Sequence, residues 1–423
     1  MLYLESFLHR VRFAEIVSRW MVNQPQPDDV RRLKAIVNFN SYIARMWVDE
    51  LAKDLLYGLY GKEPLCFPAK TKGRLKDFVA KHPLYTNPRI ESMIARYNRF
   101  PEDFYRESPF DGMVYYTREA GAPVFLGTTR IKRFRRIAEK GSRRIVDFMF
   151  ERIRGHADDL AAERAARLGI AKDQLITPPE QMVEEFRHAE RRLIKSIKLG
   201  TIQSELPILS IPDVVGVKLI VEPDQYPRLL DLLTSNPATT LLEQEQHSGN
   251  YNATNLRVAY ILPKDRLLGH PPSGQSLSVL GHRGFDATRV GDQYREFIES
   301  SEDHVLLEII VANFYEFLES EIGRSMHEDR VLAQRSSQTY RSPLATSIRY
   351  LMDYMLTLCL APDDADVTDV PIKLWVKYMP DTIDRLIRDI YKVPTDSSFD
   401  LHTETTLPLP LGFVPEQRTP APN

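Results

Sequence analysis

Cysteine is scarce in this chain: Cys66 and Cys359 are the only two among 423 residues. That rules out a disulfide framework and a cysteine metal cluster, and both stand in apolar stretches where a small buried thiol is the ordinary role. A reducing cytoplasm fits. No apolar run approaches the roughly 18 residues of a membrane span. The opening M-L-Y-L-E-S-F-L-H-R has no basic start and is interrupted by Glu5 and His9, unlike a secretory signal. A soluble cytoplasmic protein with no membrane partner is expected. Net charge is nearly absent too, at −2, which gives no bulk attraction to nucleic acid. Any electrostatic function is therefore local. No internal repeat is present, while 43% hydrophobic and 27% charged residues are ordinary for a globular chain long enough to hold two or three packed units.

What is present centres on residues 211–222, I-P-D-V-V-G-V-K-L-I-V-E, a short aliphatic run bounded by Pro212 and Pro223. Such a run reads as an inner strand, with Asp213 at its mouth. A second strand, 305–312 (V-L-L-E-I-I-V-A), carries Glu308 in its middle. Alternation sets Leu306, Glu308, Ile310 and Ala312 on one face and only apolar residues on the other. A carboxylate among such neighbours is costly unless a cation meets it. Two acids at the edge of a small sheet suit Mg²⁺-dependent phosphoryl transfer, where one or two carboxylates plus substrate phosphates hold the ion. The plainer alternative stays open: an Asp after Pro is ordinarily a turn residue, and a lone strand Glu ordinarily faces water.

Around these strands the pattern divides the chain. Residues 1–110 read as helices, with Asp28 and Asp29 capping one and Pro64, Pro68, Pro83, Pro88 and Pro101 punctuating shorter pieces. A hairpin is expected between Met113 and Arg130. Next comes 130–144, R-I-K-R-F-R-R-I-A-E-K-G-S-R-R, with eight basic residues and one acid. Its helical face of Arg133, Arg136, Lys140 and Arg143 or Arg144 is either a receptor for phosphates near a helix N-terminus or a solvated basic face. Nucleic acid is a third option, opposed by the limited aromatic content. A helical insertion is expected over 141–205, broken at Thr177-Pro178-Pro179, and an irregular one over 263–302, rich in Gly, Pro and Ser. The core region spans 111–340, C-terminal helices 341–393, and a Pro-rich tail that need not fold 394–423.

In order and spacing these pieces resemble the synthetase domain of the RelA/SpoT alarmone family, which moves pyrophosphate from ATP to the 3′-hydroxyl of GTP or GDP in the stringent response. The family's G-R-x-K and basic helix are matched by Gly127-Thr128-Thr129-Arg130-Ile131-Lys132 and Lys140, ten residues after Arg130. Its D-L-x-G-x-R is matched by Asp213-Val214-Val215-Gly216-Val217-Lys218, and its G-Y-x-S-x-H by the stretch from Tyr251 to Asn255. Its E-x-Q-I-R-T and following Gly and His are matched by Glu308, Gly323 and His327. The resemblance covers roughly residues 112–335.

It implies an α+β, nucleotidyltransferase-like mixed sheet of about five strands, flanked by helical N- and C-terminal segments. It further implies Mg²⁺ at Asp213 and Glu308, with Glu308 taking the proton of the attacking hydroxyl. Arg130, Lys132 and Lys140 would grip ATP phosphates, Tyr251 would stack on the acceptor base, and Lys218, Asn255 and His327 would complete nucleotide binding. The alternative for His327 is a satisfied structural residue. The chain departs from the family at Ile310 and Ala312, which replace Gln and Arg, at Asn255, which replaces His, and at Lys218, which replaces Arg. These changes bear on the acceptor side, so an adenine nucleotide or a tRNA end, or a silent member that binds a nucleotide or a protein, remain alternatives. A homo-oligomer or an antitoxin-like partner belongs to the same set. None of the ten histidines is followed by Asp, so alarmone hydrolysis by the family's His-Asp route is not expected.

Overall fold

Alternation along the middle of the chain builds one large sheet. The computed structural model describes residues 1–249, 252–324, 326–336, 340–362, 367, 369–376 and 380–391. Its strands are β1 (Leu2–Leu4), β2 (Leu65–Thr71), β3 (Pro109–Glu119), β4 (Ala122–Ile131), β5 (Leu209–Ile211), β6 (Val215–Ile220), β7 (Thr239–His247), β8 (Ala253–Ile261) and β9 (His304–Ala312). The first eleven helices, in chain order, are α1 (Arg10–Met21), α2 (Asp29–Tyr60), α3 (Lys72–Lys81), α4 (Pro88–Arg99), α5 (Phe134–Leu168), α6 (Pro179–Lys198), α7 (Tyr226–Ser235), α8 (Lys264–Leu268), α9 (Gly274–His282), α10 (Val290–Glu299) and α11 (Phe314–Ile322). After them come α12 (His327–Ser336), α13 (Pro343–Leu358) and α14 (Pro380–Ile390). Two compact units divide the chain, Met1–Tyr378 and Met379–Asn423, the second holding α14.

Among the described residues seven strands form a sheet in the order β2-β3-β4-β6-β9-β8-β7. The central β6–β9 pair is parallel and the rest are antiparallel, so the architecture is a mixed α+β sheet flanked by helices. A separate parallel pair joins β1 to β5. On one face Val215, Val217 and Leu219, Leu307 and Ile309, and Leu256 and Val258 are buried. α2 covers that face, with Trp47 6.0 Å from the ring of Tyr260. Each fully buried aliphatic side chain there contributes about 1.5–3 kcal/mol. On the other face Val114, Phe125 and Ile220 pack under Leu75 and Val79 of α3, Met93 of α4, and Phe314 and Phe317 of α11. Those helices cover the β2–β3–β4 end. The stretch with Gly216 and Glu308 stays half-exposed.

Local chemistry sets the helix starts. Asn87 Oδ1 accepts from Ile90 N at 2.8 Å ahead of Pro88, and Asn313 Oδ1 accepts from Glu316 N at 2.9 Å. α5 runs 35 residues before Gly169 closes it at φ 68°, so the basic segment and the first half of the helical insertion are one helix. Several expectations need correction. The sheet has more strands than the five expected, because β2 and β7 join its edges. Residues 263–302 are not irregular, since they hold α8, α9 and α10. After β9 the chain forms two helices, α11 and α12, separated after Ile322 where Gly323 leaves helical geometry. Within the C-terminal region 371–376 are not helical, and the last helix among the described residues is Pro380–Ile390. The Pro-rich segment from Pro394 onward lies outside the described residues. Among the described residues no helix is long and apolar enough to cross a membrane.

Candidate functional site

Strand register brings the sequence's candidate residues onto one face. Arg130 on β4 is paired with Gly216 on β6, Gly216 with Glu308 on β9, and Glu308 with Arg257 on β8. The next row in the same phase is Thr128, Lys218, Ile310 and Asn255. Partners across a sheet share a face, so Arg130, Lys218, Glu308, Ile310 and Asn255 lie on one face of the sheet. Gly216 contributes no side chain between Arg130 and Glu308. Gly127 is required for a different reason: a Cβ there would run into the carbonyl oxygen of Lys218.

Asp213 occupies the turn between β5 and β6. Lys132 Nζ donates to its Oδ2 at 2.6 Å and to its carbonyl oxygen at 2.8 Å, and Lys140 Nζ donates to the same Oδ2. Lys132 reaches it because its own backbone N–H prolongs the β4–β6 pairing, donating to Val214 O at 2.8 Å. Burial pushes the Asp213 carboxyl upward, but the two ammonium groups outweigh it and hold the carboxyl well below the usual range. Lys132, buried and sharing one carboxylate oxygen with Lys140, is pulled down to about 7 by desolvation against the pull of Asp213. Asp213 Oδ1 is buried and has no hydrogen-bond partner among the described residues.

Glu308 is raised above the ordinary carboxyl value by burial and then by the charge of Asp213, with Lys140 and Lys132 opposing. The two carboxylates are thus close enough for their charges to act on each other. Asn255 Nδ2 donates to Glu308 Oε1 at 2.9 Å, while Asn255 Oδ1 is buried without a partner among the described residues. Arg130 is half-buried and lowered by desolvation, with Asp213 its first opposing charge.

Toward α11 the cleft ends in a buried charge network. Lys218 Nζ donates to Ser320 Oγ at 3.2 Å, lies 3.9 Å from Glu321 Oε1 and sits 4.8 Å over the ring of Phe317. Burial lowers it to about 8. Lys72 donates to both Glu321 oxygens at 2.9 and 2.6 Å, and Lys76 lies 3.4 Å from Glu328. His327, the first residue of α12, is kept neutral well below its ordinary value by burial and by the cations Lys72, Arg130, Lys218 and Arg330. Lys72, Lys76, Glu321 and Glu328 are missing from the sequence reading. The spacing of Lys72 and Lys76 puts them on one helical face, yet a solvated face looks the same.

Along α5 a groove of about 840 Å³ opens on Asp213, lined by Arg133, Arg136, Lys140, Arg143 and Arg335 among others. Glu139 pairs with both Arg136 and Arg335. Tyr251 lies outside the described residues; its neighbour Asn252 donates from Nδ2 to Glu316 Oε1 on α11 at 2.9 Å.

Among the described residues no group of three or more His, Cys, Asp or Glu could hold a metal by itself. The pair of carboxylates with an orphaned Asp213 Oδ1 fits Mg²⁺ shared with substrate phosphates, the usual arrangement for that ion. Comparison with protein-family models, with curated proteins and with solved structures finds no match to this chain.

Proposed function

We propose that this chain is a synthetase-only, nucleotidyltransferase-like enzyme of the RelA/SpoT type. It would move pyrophosphate from ATP to the 3′-hydroxyl of GTP or GDP in the cytoplasm. What supports the reading is that Asp213, held by Lys132 and Lys140, and Glu308 are near enough for their charges to act on each other, with Arg130 in the strand register beside them. The 3′-oxygen forms a bond to the β-phosphorus of ATP, the bond from that phosphorus to the α–β bridging oxygen breaks, and AMP leaves. Glu308, raised by burial, suits the role of base for the hydroxyl proton. Lys132 and Lys140, which share Asp213, have donors to turn toward the triphosphate, and Arg130 stabilises the negative charge that develops on the transferring group. Mg²⁺ held by Asp213 and Glu308 would supply charge neutralisation at the phosphate oxygens. At the α11 end Lys218 and Lys72 offer cations for the acceptor's 5′-phosphates.

Ile310 favours a second reading. It stands beside Asn255 on the acceptor side of the row, where an apolar side chain offers a base edge no hydrogen bond. That suits a different 3′-hydroxyl, on an adenine nucleotide or a tRNA end. The test incubates the protein with Mg²⁺, γ-labelled ATP and GTP, GDP, ADP or tRNA in turn. Label on one acceptor, lost in Asp213→Asn and Glu308→Gln, is the expected result. Nucleotide binding without transfer to any acceptor would overturn the enzymatic reading and leave a nucleotide-binding protein.

A further inference from the structure

The pairing that sets Glu308 in the cleft also sets a cation directly against it. Arg257 is its cross-strand partner. Opposed side chains of an antiparallel pair have Cβ atoms about 4.5–5.5 Å apart, within reach of an Arg–Glu ion pair. That pair is not made. Arg257 Nε instead donates to Glu5 Oε2 at 3.1 Å and Nη2 donates to Glu5 Oε1, while Glu308 accepts from the neutral Asn255 amide.

Glu5 is 3% exposed, and its backbone is fixed on both sides. Glu5 N donates to Ile211 O at 3.2 Å, and Leu306 N donates to Glu5 O at 3.1 Å. The next residue, Ser6, donates from Oγ to Leu306 O at 2.8 Å and accepts from Val215 N at 3.4 Å. The segment after β1 is therefore stitched between the approach to Asp213 and the approach to Glu308. A two-pronged carboxylate held this rigidly outcompetes Glu308 for one guanidinium.

Building on the function proposed above, we propose that Glu5 is a positioning residue. It holds Arg257 off Glu308, so that the Glu308 carboxylate stays open to the cleft and to a divalent cation opposite Asp213. In Glu5→Gln, Arg257 keeps only the longer 3.8 Å contact of its Nη1 with the exposed Glu243, an anchor too weak to hold it, and closes onto Glu308.

The probe is Mn²⁺ with α,β-methylene-ATP, whose α–β bond cannot be broken in the reaction, titrated into the full chain and followed by the electron paramagnetic resonance signal of the free ion. Glu5→Gln is expected to weaken Mn²⁺ binding on the order of tenfold, the scale of one charge-assisted hydrogen bond. Glu5→Gln with Arg257→Gln is expected to restore it, because the intruding cation is gone. Should Glu5→Gln fail to fold, Glu5→Asp, whose shorter stem draws the carboxylate back from Arg257, is expected to show a smaller loss with the same rescue by Arg257→Gln. Equal binding by wild type and the Glu5 variant overturns the proposal, and so does a loss that Arg257→Gln does not rescue. Wild type and Glu308→Gln binding Mn²⁺ equally would sink the functional reading itself, a separate outcome.

Discussion

Lys218→Met isolates the cost of holding a cation under the cleft. Burial lowers the Lys218 ammonium from 10.5 to about 8, although Glu321 pulls the other way. In the unfolded chain the lysine returns to its ordinary value, so between pH 8 and 10.5 the unfolded state binds more protons and stability rises with pH. At about 1.4 kcal/mol per pH unit, the fall from 10.5 to about 8 amounts to about 3 kcal/mol of penalty at pH 7 that is relieved by pH 10.5. Methionine has no proton to lose, so the variant lacks this relief. It also leaves no orphan, since Lys72 still holds Glu321 at 2.9 and 2.6 Å. Urea unfolding of both proteins at pH 7, 8, 9 and 10 reads the effect. The wild type should gain about 2–3 kcal/mol relative to Lys218→Met across that range. A difference that stays constant with pH would refute the argument, because it would mean Lys218 titrates alike in both states.

Glu321→Gln should do the opposite, costing about 3–5 kcal/mol in the same unfolding assay, since it strands Lys72 and Lys218 in a buried site. The Glu321 carboxyl lies below its ordinary value, so this contribution is present above that value and fades as pH falls through the folded one. Ile309→Ala on β9, at 0% exposure, should cost about 2–5 kcal/mol in thermal or urea unfolding. Asp29→Asn should cost about 2–3 kcal/mol and shift the fluorescence of Trp20, because the 0%-exposed carboxylate accepts from Trp20 Nε1 at 3.1 Å and Gln26 N at 2.9 Å and pairs with Arg19.

The central strands were legible because their chemistry is local. The aliphatic run ending at Val221 and the clean alternation around Glu308 both state which face is buried, and both strands form close to where that pattern puts them. The spacing from Arg130 to Lys140 likewise carried Lys132 and Lys140 to Asp213. The edge strands were hidden by their own composition. β2 contains Pro68, tolerated because its strand has a neighbour on one side only. β7 reads T-T-L-L-E-Q-E-Q-H, polar enough to pass for a loop. Residues 263–302 misled because Gly269, Pro272 and Gly284 fall between short helices rather than through an unstructured run. Glu5 with Arg257 and Lys72 with Glu321 were beyond reach for a different reason. Their separations of 252 and 249 residues leave no periodic trace.

The cleft's charge balance explains why the features that cost stability are the ones that would bind a ligand. Arg130, Lys132, Lys140, Lys218, Lys72 and Lys76 outnumber Asp213, Glu308, Glu321 and Glu328. The surplus shows as desolvation: Arg130, Lys132, Lys218 and Lys76 are all lowered, each with burial as the first cause. A chain selected for stability alone would replace several of these lysines with apolar residues of similar volume. An incoming polyphosphate reverses the sign of the argument, since each phosphate oxygen placed near Lys132 or Lys218 raises that group toward its ordinary value. Part of the folding penalty then returns as binding free energy, and pH couples the two. Above pH 8 both lysines are mostly neutral and cheaper to hold, and the site would be weaker for anions, whereas below pH 7 both are charged, costly to hold, and would favour them. Anion affinity should therefore fall over the same pH interval in which stability rises, a reciprocity required by linkage.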